Sequence, residues 1–243
     1  MRLLLIRHGE PDYEIDGLTP AGKREAALLA ERLKNTEISE FYVSPLGRAV
    51  KTAEPTLAGL GRKAVSLDWL QEFSIPILRP DKNGEPSVVP WDWLPQDWLS
   101  DPRLLDRNRW RENEIMAAGH VGEAYDAVIA AFDALLASHG YVRSGLLYRA
   151  ERPNRDTLAF FCHFGLASVL MSHLMNCSPM VLWQGLCLPP SSVTSIYTEE
   201  RRSGTAVFRA GSVGDISHLY ANGVSPSFAA RFCEVCGDGD RTD

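Results

Sequence analysis

Apolar positions along this chain alternate between short unbroken blocks and longer stretches with a helical period. Leu3-Leu4-Leu5-Ile6 is a block of four bounded by polar residues, too few for a helix of its own. Such a block reads as a strand buried on both faces of a parallel sheet. Ile38 to Val43, Ala64 to Leu67, Gly145 to Ala150 and Thr157 to Cys162 are further short strands. Between them, Ala26, Leu29, Ala30 and Leu33 recur at helical spacing after Thr19-Pro20, a cap with proline at the first helical position, and the stretch ends near Asn35. Arg48 to Leu57 and Leu166 to Met175 follow the same period. Glu112 to Ala137 does too, interrupted near Gly119-His120, with Ala127, Ala130, Ala131, Ala134 and Leu135 as a small-residue packing face. Ser191 to Thr198 and Thr205 to Arg209 predict a final hairpin around Arg201 to Gly204. Strands alternating with helices place the chain in the α/β class.

One stretch breaks this rhythm. From Phe73 to about Asn108, six prolines (Pro76, Pro80, Pro86, Pro90, Pro95, Pro102) are interleaved with Trp91, Trp93 and Trp98. A structureless segment this long is uncommon in a compact domain unless it has a function. It is expected to be an insertion, a cap over the sheet's ligand edge, within a single domain covering residues 1–243.

Composition narrows the class of protein. At 243 residues and 45% hydrophobic content, the chain can fill a sizeable core. A formal net charge of −6 with mixed signs argues against a basic nucleic-acid surface. No apolar stretch approaches the ~18 residues of a membrane helix, so no membrane partner is expected. The five cysteines, Cys162, Cys177, Cys187, Cys233 and Cys236, are odd in number and mostly set among apolar neighbours, as in a reducing cytoplasm. Cys233-Glu-Val-Cys236 has the spacing of half a zinc site, but no second pair completes it. No metal or cofactor is expected, and association into a homo-oligomer stays open.

The chemistry gathers where strands end. In open α/β sheets the carboxyl ends of the strands face the ligand crevice. The first strand delivers Arg7 and His8 there, with Gly9 allowing a close turn; Arg48 follows the second strand, and His163 ends another. Two arginine forks suit the oxygens of a phosphoryl group. A helix starting after Gly165 would aim backbone N–H groups at the same place. A histidine beside them can attack phosphorus and depart again. A carboxylic acid must protonate the leaving oxygen, and Glu72, at the mouth of the insertion, is the best-placed candidate, with Glu10, Glu14 and Glu85 as alternatives. His218, in Gly214-Asp-Ile-Ser-His218, follows the last hairpin, where it can reach the pocket. His120, His139 and His173 lie in or beside helical patterns and read as structural or surface groups. Arg103, Arg107, Arg109 and Arg111 either meet a negatively charged substrate or are solvated.

Leu-Ile-Arg7-His8-Gly9-Glu10, then Leu18-Thr19-x-x-Gly22, then Ser44-Pro45-Leu46-x-Arg48-Ala49-x-x-Thr52-Ala53 together resemble the histidine phosphatase superfamily, the phosphoglycerate mutase-like family. The resemblance implies a three-layer α/β sandwich with helices on both faces of a mostly parallel sheet. It further implies a metal-independent phosphoric monoester hydrolase of the histidine acid phosphatase type. In it His8 becomes a phosphohistidine, Arg7, Arg48 and His163 hold the transferred group, and Glu72 is the acid and later the base that activates water. The expected partner is a small phosphorylated metabolite. A mutase that passes the phosphoryl group to another hydroxyl, and a non-catalytic phosphate- or phosphopeptide-binding module, are the alternatives. The mutase branch tends to follow its acid with a Gly- and Trp-containing turn and a second Glu, whereas Glu72 is followed by Phe-Ser-Ile-Pro. Phe164 stands where the family commonly has glycine after its second histidine, and no asparagine occupies the position near Glu14.

Overall fold

The computed structural model describes residues 1–79 and 86–227. In chain order its first elements are β1 (Arg2–Arg7), β2 (Pro11–Asp12), β3 (Gly17–Leu18), α1 (Pro20–Leu33), β4 (Glu40–Val43), α2 (Gly47–Leu60) and β5 (Val65–Ser66). The insertion supplies a hairpin of β6 (Ile77–Leu78) with β7 (Pro86–Ser87), and α3 (Pro95–Trp98). There follow α4 (Glu114–Ala118), α5 (Val121–Ser138), β8 (Tyr141–Ser144), β9 (Leu147–Ala150), β10 (Thr157–Cys162) and α6 (Phe164–Met175). Last come α7 (Pro179–Gly185), β11 (Val193–Arg202), β12 (Thr205–Asp215) and α8 (Ser217–Tyr220).

Eight strands form one sheet in the order β5-β4-β10-β1-β11-β12-β9-β8. The α/β class is as expected from the sequence, and the sheet is mixed. β5, β4, β10 and β1 pair in parallel, and the sheet continues through β11, β12, β9 and β8 with every pairing antiparallel. The reason is local. β8–β9 and β11–β12 are joined by tight turns in which Gly145 and Gly204 take left-handed φ values of 61° and 79°, and strands joined so closely can only run antiparallel.

β1 lies at the centre and is buried on both faces, so its side chains divide by parity. Leu4 and Ile6 join Leu29 and Leu33 of α1 and Ala49 and Ala53 of α2. Leu3 and Leu5 join a larger core with Phe132 and Leu136 of α5, Val169 and Leu170 of α6, and Trp93, Leu104 and Trp110. These are the three layers. Trp93 and Leu104 of the insertion are thus part of the main core on the α6 face, at 7% and 0% exposure. No helix among the described residues is long and apolar enough to cross a membrane.

Candidate active site

At the carboxyl end of β1 the backbone of His8 is held from both sides. Its N–H donates to the carbonyl of Cys162 at the end of β10 (3.0 Å), and its carbonyl accepts from the N–H of Ser191 ahead of β11 (2.9 Å). The next N–H, that of Gly9, donates to Thr52 Oγ1 on α2 (2.9 Å). The imidazole Nδ1 lies 2.7 Å from the carbonyl oxygen of Gly9. A carbonyl only accepts, so Nδ1 carries the hydrogen and Nε2 keeps the lone pair. Burial, and then the Arg7 and Arg48 guanidiniums, hold this imidazole well below its ordinary pKa, so it is neutral at physiological pH.

His163 immediately precedes α6, and its ring centroid lies 5.2 Å from that of His8, tilted by 56°. Nε2 is 2.8 Å from Ser44 Oγ at the end of β4. Nδ1 is buried and has no protein partner among the described residues. Burial, His8 and the two arginines also keep this ring well below its ordinary value.

The two guanidiniums are held by different means. Arg7 is only 5% exposed, and its Nη1 donates to the carbonyl of Leu188 (2.6 Å). Arg48 stands in the first turn of α2, and its Nη1 pairs with Asp16 Oδ1 (2.7 Å). The other oxygen of Asp16 accepts from the Gly47 N–H (2.6 Å), capping a helix whose own cap residue, Leu46, has no side-chain acceptor. The Arg48 guanidinium also lies over the Tyr13 ring, 5.5 Å from its centroid. Its Nε is buried without a protein partner among the described residues.

Glu72 reaches the same place from the start of the insertion. Its Oε1 accepts from Phe73 N–H (2.9 Å) and from Leu166 N–H in the first turn of α6 (3.1 Å). Desolvation nonetheless raises its pKa above the ordinary carboxylate value, against those bonds and the pull of Arg7 and Arg48. Arg7, His8, Arg48, Glu72 and His163 are therefore brought together: Arg7 and Arg48 bear electrostatically on His8, Glu72 and His163, and His8 bears on His163.

Two residues expected here are placed otherwise. Gly165 lies in α6, whose N–H groups at Leu166 serve Glu72, and a Cβ at Gly165 would fall 1.9 Å from the Trp91 ring and 2.8 Å from Glu72 Oε1. The absence of a side chain there makes room for Trp91. His218 is outside the cluster. Its Nε2 is 3.1 Å from Ser191 Oγ, and its Nδ1 faces Arg32, which is paired with Asp215. Among the described residues its link to His8 runs through Ser191, and α8 packs on α1.

Of the alternative acids, Glu10 accepts from Thr19 Oγ1 at the start of α1, Glu14 is exposed, and Glu85 lies outside the described residues, as do Cys233 and Cys236. His120 is exposed, His139 meets Tyr42 Oη at 2.9 Å, and His173 pairs with Asp133, consistent with structural or surface roles.

Sequence reasoning gave no role to Ser44, Thr52, Asp16 or Glu25. Ser44 and Thr52 lie within the quoted motif, and Thr52 falls one helical turn after Arg48, whose carbonyl it bonds at 2.7 Å. Glu25, 2% exposed on α1, accepts the Glu10 N–H at 2.8 Å beneath the Gly9 turn. A carboxylate on the buried stripe of an amphipathic helix was the available signal.

The insertion covers this edge with aromatic rings. Trp91 packs edge-on against Phe164 (5.7 Å) and lies tilted by 36° against Trp183 (5.4 Å), and Phe73 stacks on Trp183 (5.6 Å). Trp183 Nε1 donates to the Gly165 carbonyl (3.0 Å).

A mixed α/β sheet whose strand ends bring together paired imidazoles, two guanidiniums and a raised carboxyl offers the kinds of group that phosphoryl transfer requires. Residues 3–209 match the histidine phosphatase superfamily, branch 1, and the chain belongs to that family, whose activities are of the phosphatase or mutase kind. A 2,3-bisphosphoglycerate-dependent phosphoglycerate mutase of Thermoplasma acidophilum is 34% identical over 92 residues, 34% of this chain and 46% of that protein. The first curated relatives are matched over only 47% and 46% of their lengths. Phosphoserine phosphatase 1 of Hydrogenobacter thermophilus is 22% identical over 84% of this chain and 89% of that one. The solved phosphoserine phosphatase of Entamoeba histolytica in complex with phosphoserine superposes with a TM-score of 0.59 at 18% identity, over 90% of this chain and 98% of that one, a likeness of fold.

Proposed function

We propose that the protein is a metal-independent phosphomonoesterase that hydrolyses a small phosphorylated metabolite through a phosphohistidine on His8. The observation that carries this reading is the His8 ring, neutral, with Nδ1 committed to the Gly9 carbonyl and Nε2 left as the nucleophile. Two buried polar atoms without protein partners, His163 Nδ1 and Arg48 Nε, support it, because buried donors are ordinarily satisfied and a phosphoryl oxygen would satisfy both.

In the first step Nε2 of His8 attacks phosphorus and the P–O bond to the leaving group breaks. Glu72, protonated through its raised pKa, gives its proton to the departing oxygen. In the second step the Glu72 carboxylate takes a proton from water, the hydroxide oxygen bonds to phosphorus, and the P–N bond breaks. Arg7, Arg48 and His163 hold the phosphoryl oxygens throughout and neutralise their charge. Residues 73–108 act as a cap whose Trp91 bounds the leaving group. A relative that aligns along most of the chain bears a phosphatase name, which favours water over a second hydroxyl as acceptor. Cys162 and Cys177 carry free thiols, which favours a cytoplasmic setting.

The test is hydrolysis of a chromogenic phosphomonoester in EDTA, with the enzyme trapped at alkaline pH during turnover. Phosphate release and an acid-labile label on His8 are expected. Label on another residue, or turnover abolished by the chelator, overturns the mechanism, and transfer to an added polyol faster than hydrolysis selects the mutase.

A further inference from the structure

The far end of α6 holds a second concentration of positive charge. A cavity of about 260 Å³ opens there between the end of the insertion, α5 and the β8–β9 turn, lined by Arg107, Asn108, Arg111, Arg143, His173 and Cys177 among others. Its lining contains no carboxylate, in a chain whose net charge is −6.

Two of the three guanidiniums are fixed by aromatic faces. Arg111 lies over Trp110 (5.2 Å) and Tyr125 (5.8 Å), and Arg143 lies over Tyr148 (4.9 Å). Arg143 is locked further by donating to the Gly145 carbonyl (2.7 Å) and to Asn176 Oδ1 (2.6 Å). The neighbouring acids are already engaged: Asp126 with Arg111 through Nη1 (2.7 Å), and Asp133 with His173 (2.8 Å) and Tyr148 Oη (2.8 Å). Arg107 forms no hydrogen bond or ion pair among the described residues, and Asp106 acts on it only through space. Its donors, and those of Arg111 not taken by Asp126, remain for a ligand. Guanidinium groups stacked in advance lose little freedom on binding, so the arrangement is preorganised for an oxyanion.

We propose that this cavity is a second binding site, separate from the His8 cluster, for a small multiply charged oxyanion of the phosphate or carboxylate class. Arg107 and the remaining N–H groups of Arg111 offer donors to ligand oxygens, Arg143 adds its positive charge, and the cavity has room for a ligand of metabolite size but not for a polymer. The Arg103–Arg111 series divides accordingly. Arg103 is spent on Asp101 and Glu114, Arg109 on Glu112, and Arg107 and Arg111 turn to the cavity.

Equilibrium dialysis of the purified chain against pyrophosphate, and separately against citrate, tests the site. Wild type is expected to retain one more equivalent than Arg107→Glu of at least one of the two anions. Retention of pyrophosphate alone assigns phosphate chemistry; retention of citrate alone assigns carboxylate chemistry. The bound anion is also expected to slow alkylation of Cys177, located by peptide mapping, with that protection lost in Arg107→Glu. Phosphomonoester turnover in Arg107→Glu should match wild type, which separates failure of this site from failure at His8. Equal stoichiometry in wild type and variant for both anions, or Cys177 alkylation indifferent to either anion, overturns the proposal.

Discussion

The two ends of α6, about 18 Å apart along the helix axis, both gather guanidinium groups, and they do so by opposite physics. At the first end Arg7 and Arg48 are packed beside two imidazoles and a carboxyl from which water is largely removed, and burial displaces Arg7, His8, Glu72 and His163 from their ordinary protonation behaviour. At the second end Arg111 and Arg143 rest on aromatic faces and Arg107 stays half-exposed. Low dielectric strengthens each charge interaction at the first end and makes an unpaired group there expensive. Solvent screens the second end, so it can hold an anion without altering chemistry. Arginine content alone does not distinguish a reacting site from a binding site; desolvation does.

That contrast is open to attack, starting with the largest effect. His8→Ala should lower kcat by about 10⁴-fold or more, because the nucleophile itself is removed. A smaller loss would mean that the desolvated end is not where bonds are made. Glu72→Gln should cost about 10²- to 10⁴-fold with an alkyl phosphate, and much less with a p-nitrophenyl ester, whose leaving group needs no proton. An equal loss on both esters would remove Glu72 from the acid role. Gly165→Ala should destabilise the fold by about 1–3 kcal/mol in denaturant melts, since its Cβ would land 1.9 Å from Trp91. Unchanged stability would show that Trp91 is not held on the helix.

Glu25, beneath the Gly9 turn, links the contrast to pH. Burial pushes its carboxyl from 4.5 up to about 7, so between these values the folded chain holds a proton that the unfolded chain has released. The stability contributed by that proton is complete below about pH 4.5 and is lost as pH rises through about 7. Glu25→Gln should flatten this slope and stabilise the protein by roughly 1–2 kcal/mol at pH 8, read as the midpoint of urea unfolding across pH. Smallest of all, Arg107→Glu at the screened end should move stability by no more than about 0.5 kcal/mol. A larger shift would mean that its charge is part of the packing.

How far the site was legible depends on how each residue reaches it. Arg7 ends a strand whose apolar run is unmistakable and His8 follows it, His163 directly follows β10, and Arg48 opens the helix after β4, so topology carries them to one edge. Glu72 was legible as a carboxyl at the mouth of the insertion, but not its bond to the Leu166 N–H, which joins groups 94 positions apart. Ser44 and Thr52 were in view yet without a role, because a hydroxyl's partner is fixed by distance rather than by spacing. His218 follows a hairpin that does end near the site, but α8 folds back on α1 and turns the ring behind Ser191.

Hydrophobic parity and helical period, both properties of neighbouring residues, were sufficient to determine the α/β class, the central place of β1 and the strand ends where charge collects. The antiparallel half of the sheet, the seat of Trp91 on Gly165, the proton on His8 Nδ1 and the arginine cavity beyond α6 were decided only by the tertiary structure. Each of these depends on how far water is excluded and on which distant groups share the space, and neither quantity is encoded in local spacing.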